Sequence, residues 1–396
     1  MNASTSSGAL EYHRNLRGKL SVKAKAKINS IRDLSLAYTP GVAEPCMEIA
    51  RRPGSVFDYT MKGNTVAVLT DGTAVLGLGD IGPEASLPVM EGKAALFNEF
   101  AGIDAFPIAL RTKDVDEIVS ITKAISPVFG GINLEDISAP RCFEIESKLL
   151  DLGIPVMHDD QHGTAIVVYA ALRNALKVVG KRLQDCMIVI NGAGAAGLSI
   201  ARLLTCIGYE ANVCTPARDI IVVDSKGTIW KGRPGMDSFK EEVAARTNKG
   251  LVKGSLSEAM KGADVFIGVS RAGLVSGEMV KSMEKDAIVF AMANPLPEIM
   301  PREAIAAGAA VVGTGRSDFP NQINNVLAFP GVFKGALDAK ATRITPSMRI
   351  AAANMLASCV EPSREKILPS PLDKSVVPRI AEAVRKQAIL EGVVRK

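Results

Sequence analysis

The segment around residue 190 restricts the fold more than any other. Residues 186–190 are Cys-Met-Ile-Val-Ile, a short apolar run, and they lead straight into Asn191-Gly192-Ala193-Gly194-Ala195-Ala196-Gly197. The next stretch, Leu198-Ser199-Ile200-Ala201-Arg202-Leu203-Leu204, carries one apolar face at helical spacing. Strand, Gly-x-Gly-x-x-Gly turn and helix therefore stand in register. The three glycines allow the tight turn, the approach of backbone to a pyrophosphate, and close contact between strand and helix. The N–H groups that open the helix then face the phosphates. The pattern predicts a dinucleotide-binding unit on a parallel sheet.

The rest of the chain repeats that alternation. Apolar runs at 65–70, 106–110, 128–133 and 155–157 read as strands, separated by helical patterns at 86–100, 114–125 and 140–152. A long helix is expected over 163–179. A second series of strands follows at 186–190, 220–223, 264–269, 287–291 and 310–312, and then helices at 345–360 and 376–390. Such alternation requires crossover connections and mainly parallel sheets. We therefore expect an α/β protein of two domains, each a mainly parallel sheet flanked by helices, the second of Rossmann type. The expected division is 1–160 and 161–396, with a helical extension over about 361–396 that packs back on the first domain.

The chain has 396 residues, enough for two domains and an elaboration. Its net charge of +5 is too small for its length to indicate nucleic acid or an anionic membrane as a partner. The longest apolar stretch, 165–172, is far short of the roughly 20 residues of a bilayer span. A polar N-terminus argues against a secretory signal, and six cysteines without a Cys-x-x-Cys pair are expected as reduced, buried thiols of a cytoplasmic protein. Lys19, Lys23, Lys25 and Lys27 form a basic stretch, read as a solvated edge or an anion-binding arm.

Asp224 closes the 220–223 strand, where a ribose-binding acid belongs, although 27 positions after Gly197 is longer than the usual spacing of about 20. Lys226 follows at once. A carboxylate there suits a ribose hydroxyl and a cation suits a 2′-phosphate, so the cofactor is NAD or NADP. Two acid pairs, Glu135-Asp136 and Asp159-Asp160, fall just past the apolar runs at 128–133 and 155–157, where parallel sheets place their ligands. Converging carboxylates there suit Mg²⁺ or Mn²⁺. Each pair also fits a helix N-cap. Taken singly, Lys93 reads as a solvated helical lysine and Tyr38 as a packing residue. His158 and His162 flank the second acid pair and read as structural.

Taken together, these segments resemble the malic enzyme family in its short-subunit microbial form. The matching stretches are 38–45 (YTPGVAEP), 70–83 (TDGTAVLGLGDIGP), 88–94 (PVMEGKA), 130–137 (GGINLEDI), 158–164 (HDDQHGT), 192–197, 293–295 (ANP), 314–325 (TGRSDFPNQINN) and 329–331 (FPG). The resemblance implies oxidative decarboxylation of L-malate to pyruvate and CO₂, with reduction of NAD⁺ or NADP⁺ and a divalent metal. It makes Lys93 the general base and Tyr38 the general acid. Glu135, Asp136 and Asp160 become metal ligands, with Asp159 close behind them. Asn294 and Asn325, and less directly Asn324, become the amides that hold the substrate carboxylates, with Asn294 also near the cofactor. Ala74 stands where larger relatives carry arginine, and His162 where glutamine is commoner. Relatives of this size imply a homodimer. Two other readings share the scaffold: a malolactic enzyme that retains its nucleotide and releases lactate, and a non-catalytic dinucleotide sensor.

Overall fold

In a computed structural model, residues 3–395 are described except 76, 211 and 212, with nothing said of the side chains of 3–7. The first sheet holds β1 (Thr65–Thr70), β2 (Asp104–Ala109), β3 (Gly131–Leu134) and β4 (Val156–His158), all parallel, in the order β2-β1-β3-β4. The second holds β5 (Met187–Asn191), β6 (Asp219–Asp224), β7 (Gly227–Thr228), β8 (Val265–Gly268), β9 (Ile288–Ala291) and β10 (Val311–Thr314). Its order is β10-β9-β8-β5-β6-β7, parallel throughout except for the β6–β7 hairpin. This is the doubly wound dinucleotide order with its third strand reduced to a short hairpin.

The central strands read as unbroken apolar runs because helices cover both faces. All six residues of β1 and all four of β8 and β9 are buried. Strand order reverses between β1 and β3 in the first sheet and between β5 and β8 in the second. At such points the carboxyl ends of the strands splay apart and leave a crevice. The strand expected at 128–133 begins only at Gly131. Pro127 opens a 3-10 turn over Ser126–Val128 that delays pairing.

The Pro83–Ala101 helix starts on a proline and ends at Gly102, whose φ of 62° suits a left-handed cap. Its Phe97 ring meets Phe329 and Phe333 edge-on, with centroids 4.7 and 5.4 Å away. These contacts bring the Phe329–Asp338 helix, beyond the second sheet, against a helix of the first. The Val376–Leu390 helix packs on Phe329–Asp338 so closely that a Cβ on Gly335 would stand 2.3 Å from the Ala381 carbonyl oxygen.

One expectation is corrected. Cys206 and Cys214 are joined by a disulfide and Cys46 is exposed, so the cysteines are not all reduced, buried thiols. Past the Ala195–Leu204 helix the chain doubles back, with Ala217 N–H donating to the Leu204 carbonyl at 2.9 Å, and that return brings the two sulfurs together. The same excursion accounts for the long spacing between Gly197 and Asp224. The basic stretch is solvated: Lys25 pairs with Asp104 at 3.2 Å, and Lys23 and Lys27 are exposed. Among the described residues, no helix is long and apolar enough to cross a membrane.

Candidate active site

The acidic centre occupies the crevice of the first sheet. Glu135 and Asp136 follow β3, and Asp159 and Asp160 follow β4. The β3–β4 pairing Leu134↔His158 therefore brings the two acid pairs side by side. One carboxylate oxygen each from Glu135, Asp136 and Asp160 lie within 4.8 Å of one another. Neither pair caps a helix with its side chains: Pro140 precedes the Arg141–Leu149 helix, and Gly163 precedes Thr164–Val179. Asp160 instead accepts the Asp136 backbone N–H at 2.8 Å, and Asn133 donates to Glu135 at 2.8 Å. Asp136 sits at φ 53°, and residues 159–163 form a single widened π turn, a distortion that recurs at functional sites.

Lys93 enters this crevice from the Pro83–Ala101 helix. Ser86, Met90, Lys93, Ala94 and Phe97 share its buried face, so helical spacing points the lysine inward and not to solvent. Its Nζ lies 2.6 Å from Asp159 and 2.9 Å from Glu135, and 4.3 Å from the Phe329 ring centroid. Burial opposes the ammonium charge, but Asp159, Glu135 and Asp160 outweigh it and hold the lysine above its ordinary value. Burial also pushes all three carboxyls up, Asp159 to about 7, against the pull of Lys93. One buried cation faces too many carboxylates to neutralise them. A hard divalent cation on Glu135, Asp136 and Asp160 corrects that imbalance with oxygen ligands alone, so these residues fit a Mg²⁺ or Mn²⁺ ion.

Behind the acids lies a buried relay not foreseen from sequence. Glu146 accepts the His158 backbone N–H at 2.9 Å and meets His162 Nε2 at 2.9 Å, while Arg349 contacts His162 Nδ1. A guanidinium only donates, so Nδ1 accepts and the Nε2 proton points to Glu146. Burial and Arg349 both lower the His162 pKa, consistent with that neutral form. The relay grips the turn that carries Asp159 and Asp160. A sequence signal existed: Cys142, Phe143, Ile145, Glu146 and Leu149 mark one buried helix face, and Glu146 lies within it.

The Asn325 side chain stands near enough to the Asp159 carboxylate to lower its pKa, which places it at the centre. Asn324 caps its own turn, accepting the Val326 N–H at 3.0 Å. Asn294 is exposed just past β9, and a Cβ on Gly77 would stand 2.4 Å from its carbonyl oxygen, so the 70–83 loop meets the second sheet there. Tyr38 is not gathered in. It follows the Ile31–Ala37 helix, which buries no residue, and is 68% exposed.

The second crevice receives the glycine loop. Gly192 N–H donates to the Val223 carbonyl at 2.8 Å, at a φ of 121°. A Cβ on Gly197 would lie 1.7 Å from the Gly192 oxygen, whereas one on Gly194 would meet nothing within 4 Å. Gly194 therefore fronts open space before the Ala195–Leu204 helix, whose first N–H groups have no side-chain cap. Ala193, Ala195 and Ala196 keep the surrounding surface small. That space and those donors fit a dinucleotide pyrophosphate. Ser199 of this helix reaches Gln161 of the acidic turn at 3.4 Å, so the two crevices adjoin.

A doubly wound dinucleotide sheet beside a carboxylate-rich centre with one buried lysine defines an oxidoreductase-type α/β enzyme. Comparison with known proteins specifies it further. Residues 17–150 match the malic enzyme N-terminal domain and 161–389 the malic enzyme NAD binding domain. A bifunctional malic/malolactic enzyme of Bacillus subtilis is 59% identical over 98% of this chain and 94% of its own length. An NAD-dependent malic enzyme of Geobacillus stearothermophilus is 54% identical over 96% of this chain and 78% of its own. The crystal structure of malic enzyme from Pyrococcus horikoshii superposes with a TM-score of 0.93 at 49% identity, covering 99% of this chain and 92% of that one. The chain belongs to the malic enzyme family.

Proposed function

We propose that this chain oxidatively decarboxylates L-malate to pyruvate and CO₂ while reducing NAD⁺ or NADP⁺, with Mg²⁺ or Mn²⁺ on Glu135, Asp136 and Asp160. The observation that carries this reading is the contact of Lys93 with Asp159 and Glu135 in a crevice adjoining the dinucleotide helix. We divide the work between 1–160, which binds substrate and metal, and 161–396, which binds the dinucleotide. When bound, the cation supplies stabilisation for negative charge on a substrate oxygen, and the dinucleotide supplies the hydride acceptor.

The chain's own residues do the rest. Lys93 takes the C2 hydroxyl proton once the carboxylates around it are neutralised, because the attraction that holds its own proton is then gone. Asn294 and Asn325 orient the substrate carboxylates, with Asn324 shaping the turn before Asn325. Tyr38 protonates C3 after CO₂ has left. Phe97, Phe329 and Phe333 wall the lysine from water.

We propose a homodimer as the working form. The Ile31–Ala37 and Ala43–Arg51 helices bury no residue, and Leu34, Leu36, Tyr38, Val42 and Met47 are all exposed on this arm. An apolar surface of this kind suits a second copy. Purified protein given L-malate and Mn²⁺ is expected to reduce NAD⁺ or NADP⁺ and release CO₂. Neither product with either nucleotide would overturn the proposal. A malolactic reading is supported by the name of the Bacillus subtilis relative, and lactate release without net nucleotide reduction would favour it.

A further inference from the structure

Where the ribose is read, the carboxylate expected to read it is already engaged. Asp224 ends β6, beside the glycine loop that hydrogen-bonds Val223. Its Oδ1 accepts Arg233 Nη1 at 2.8 Å and the Lys226 backbone N–H at 2.9 Å. Its Oδ2 accepts Arg233 Nη2 and lies 3.5 Å from Lys240 Nζ. A carboxylate has about four acceptor positions, and the hydrogen bonds from Arg233 and the Lys226 backbone take three of them. Asp224 and Arg233 are both about nine-tenths buried, so the pair is a fixed part of the hairpin. Arg233 also donates to the Gly227 and Thr228 carbonyls at 3.3 and 3.2 Å, which locks it under β7.

The local charge then favours an anion. Asp224 and Asp237 face Arg233, Lys240 and Lys226, and Lys240 lies 3.7 Å from Asp237. Lys226 is exposed and, among the described residues, has no carboxylate partner. One cation is left over at the end of the strand beside the phosphate turn. A ribose diol needs a free acceptor there, whereas a 2′-phosphate needs cations.

Resting on the dinucleotide site proposed above, we propose that this chain selects NADP over NAD: Arg233 occupies Asp224, and Lys226 and Lys240 receive the 2′-phosphate. Cofactor choice is therefore set by the β6–β7 hairpin and the helix after it, not by Asp224 alone.

Direct titration of NADPH and NADH into the full chain, without malate, tests this separately from turnover. NADPH is expected to bind at least about tenfold more tightly, with the gap narrowing as salt is added. Lys226→Ala/Lys240→Ala changes only exposed or partly exposed lysines. It is expected to weaken NADPH roughly tenfold while NADH moves less than about twofold. Arg233→Gln, which frees Asp224, is expected to shift the preference toward NADH. NADH binding as tightly as NADPH, or a double variant that weakens both alike, overturns the inference and leaves the dinucleotide site standing. Binding of neither nucleotide overturns both.

Discussion

Lys93 Nζ lies 2.6 Å from the Asp159 carboxylate, and both side chains are buried. An ammonium held so close to an acid is not yet a base. Its basic form needs the neighbouring negative charge to be cancelled, which ties proton transfer to occupation of the carboxylate set beside it.

Lys93→Ala is therefore expected to lower malate oxidation by about a thousandfold, within the usual range for a lost general base. Nucleotide affinity, measured by titration, is expected to stay within about twofold. Parallel loss of nucleotide binding would make Lys93 a structural residue.

Divalent cation is expected to stabilise the fold by relieving carboxylate repulsion. At about 100 times its dissociation constant, Mn²⁺ should add about 3 kcal/mol, seen as a rise in Tm that a chelator reverses. Asp160→Asn should abolish the rise, because an amide keeps the acceptor for the Asp136 N–H but lacks the charge. A rise that persists in this variant would place the cation elsewhere.

The Gly192 loop separates two alanine substitutions. Gly197→Ala puts a methyl 1.7 Å from a backbone oxygen and should cost several kcal/mol, about 3, and dinucleotide binding with it. Gly194→Ala meets no protein atom within 4 Å, so Tm should hold while nucleotide affinity falls. Thermal melts and titrations on both variants check the pair, and equal behaviour would contradict the assignment.

Glu146 offers a pH test away from the metal ligands. Burial opposes its charge, but His162, His158 and Arg349 outweigh that and lower its pKa to about 2. A depressed folded value contributes stability that is present above the unfolded value of 4.5 and lost as pH falls toward 2. Glu146→Gln should cost at most about 3 kcal/mol at pH 7, with the gap to the parent closing below pH about 4.5. A gap independent of pH would mean the glutamate acts by shape alone.

The Ile31–Ala37 arm is expected to be covered in solution. Light scattering after size exclusion should give twice the 41.8 kDa chain mass. Leu36→Glu should shift it toward monomer and reduce turnover, since Tyr38 lies two residues away on the same arm. A fully active monomer would remove the dimer from the account.

Much of this was legible from residues alone, for reasons that differ by element. The strands announce themselves because parallel strands covered on both faces must be mostly apolar, as β8 is throughout and β1 is between its two terminal threonines. Carboxylates just past β3 and β4 could be paired because a parallel sheet brings the ends of adjacent strands together. Lys93 was harder, since a lysine on a helix is normally solvated and only its face-sharing with Met90 and Phe97 buries it. Arg233 was not legible: its return to Asp224 depends on the antiparallel reversal at β7, a two-residue strand without a periodic signal. The disulfide was hidden for a like reason, because Cys206 and Cys214 meet where Ala217 returns to Leu204, a contact between residues far apart in any local pattern. Tyr38 lies on an exposed arm, and the pattern of a single chain does not say what meets such a surface.

The central claim is that hydride loss and decarboxylation of malate occur in one site and end in net reduced nucleotide. Its most direct measurement is the stoichiometry of products from L-malate labelled in the carboxyl group next to the methylene, with Mn²⁺ and NAD⁺ or NADP⁺ supplied separately. One labelled CO₂ and one pyruvate are expected for each reduced nucleotide formed. Labelled CO₂ with lactate and no reduced nucleotide, or reduced nucleotide without CO₂, would contradict it.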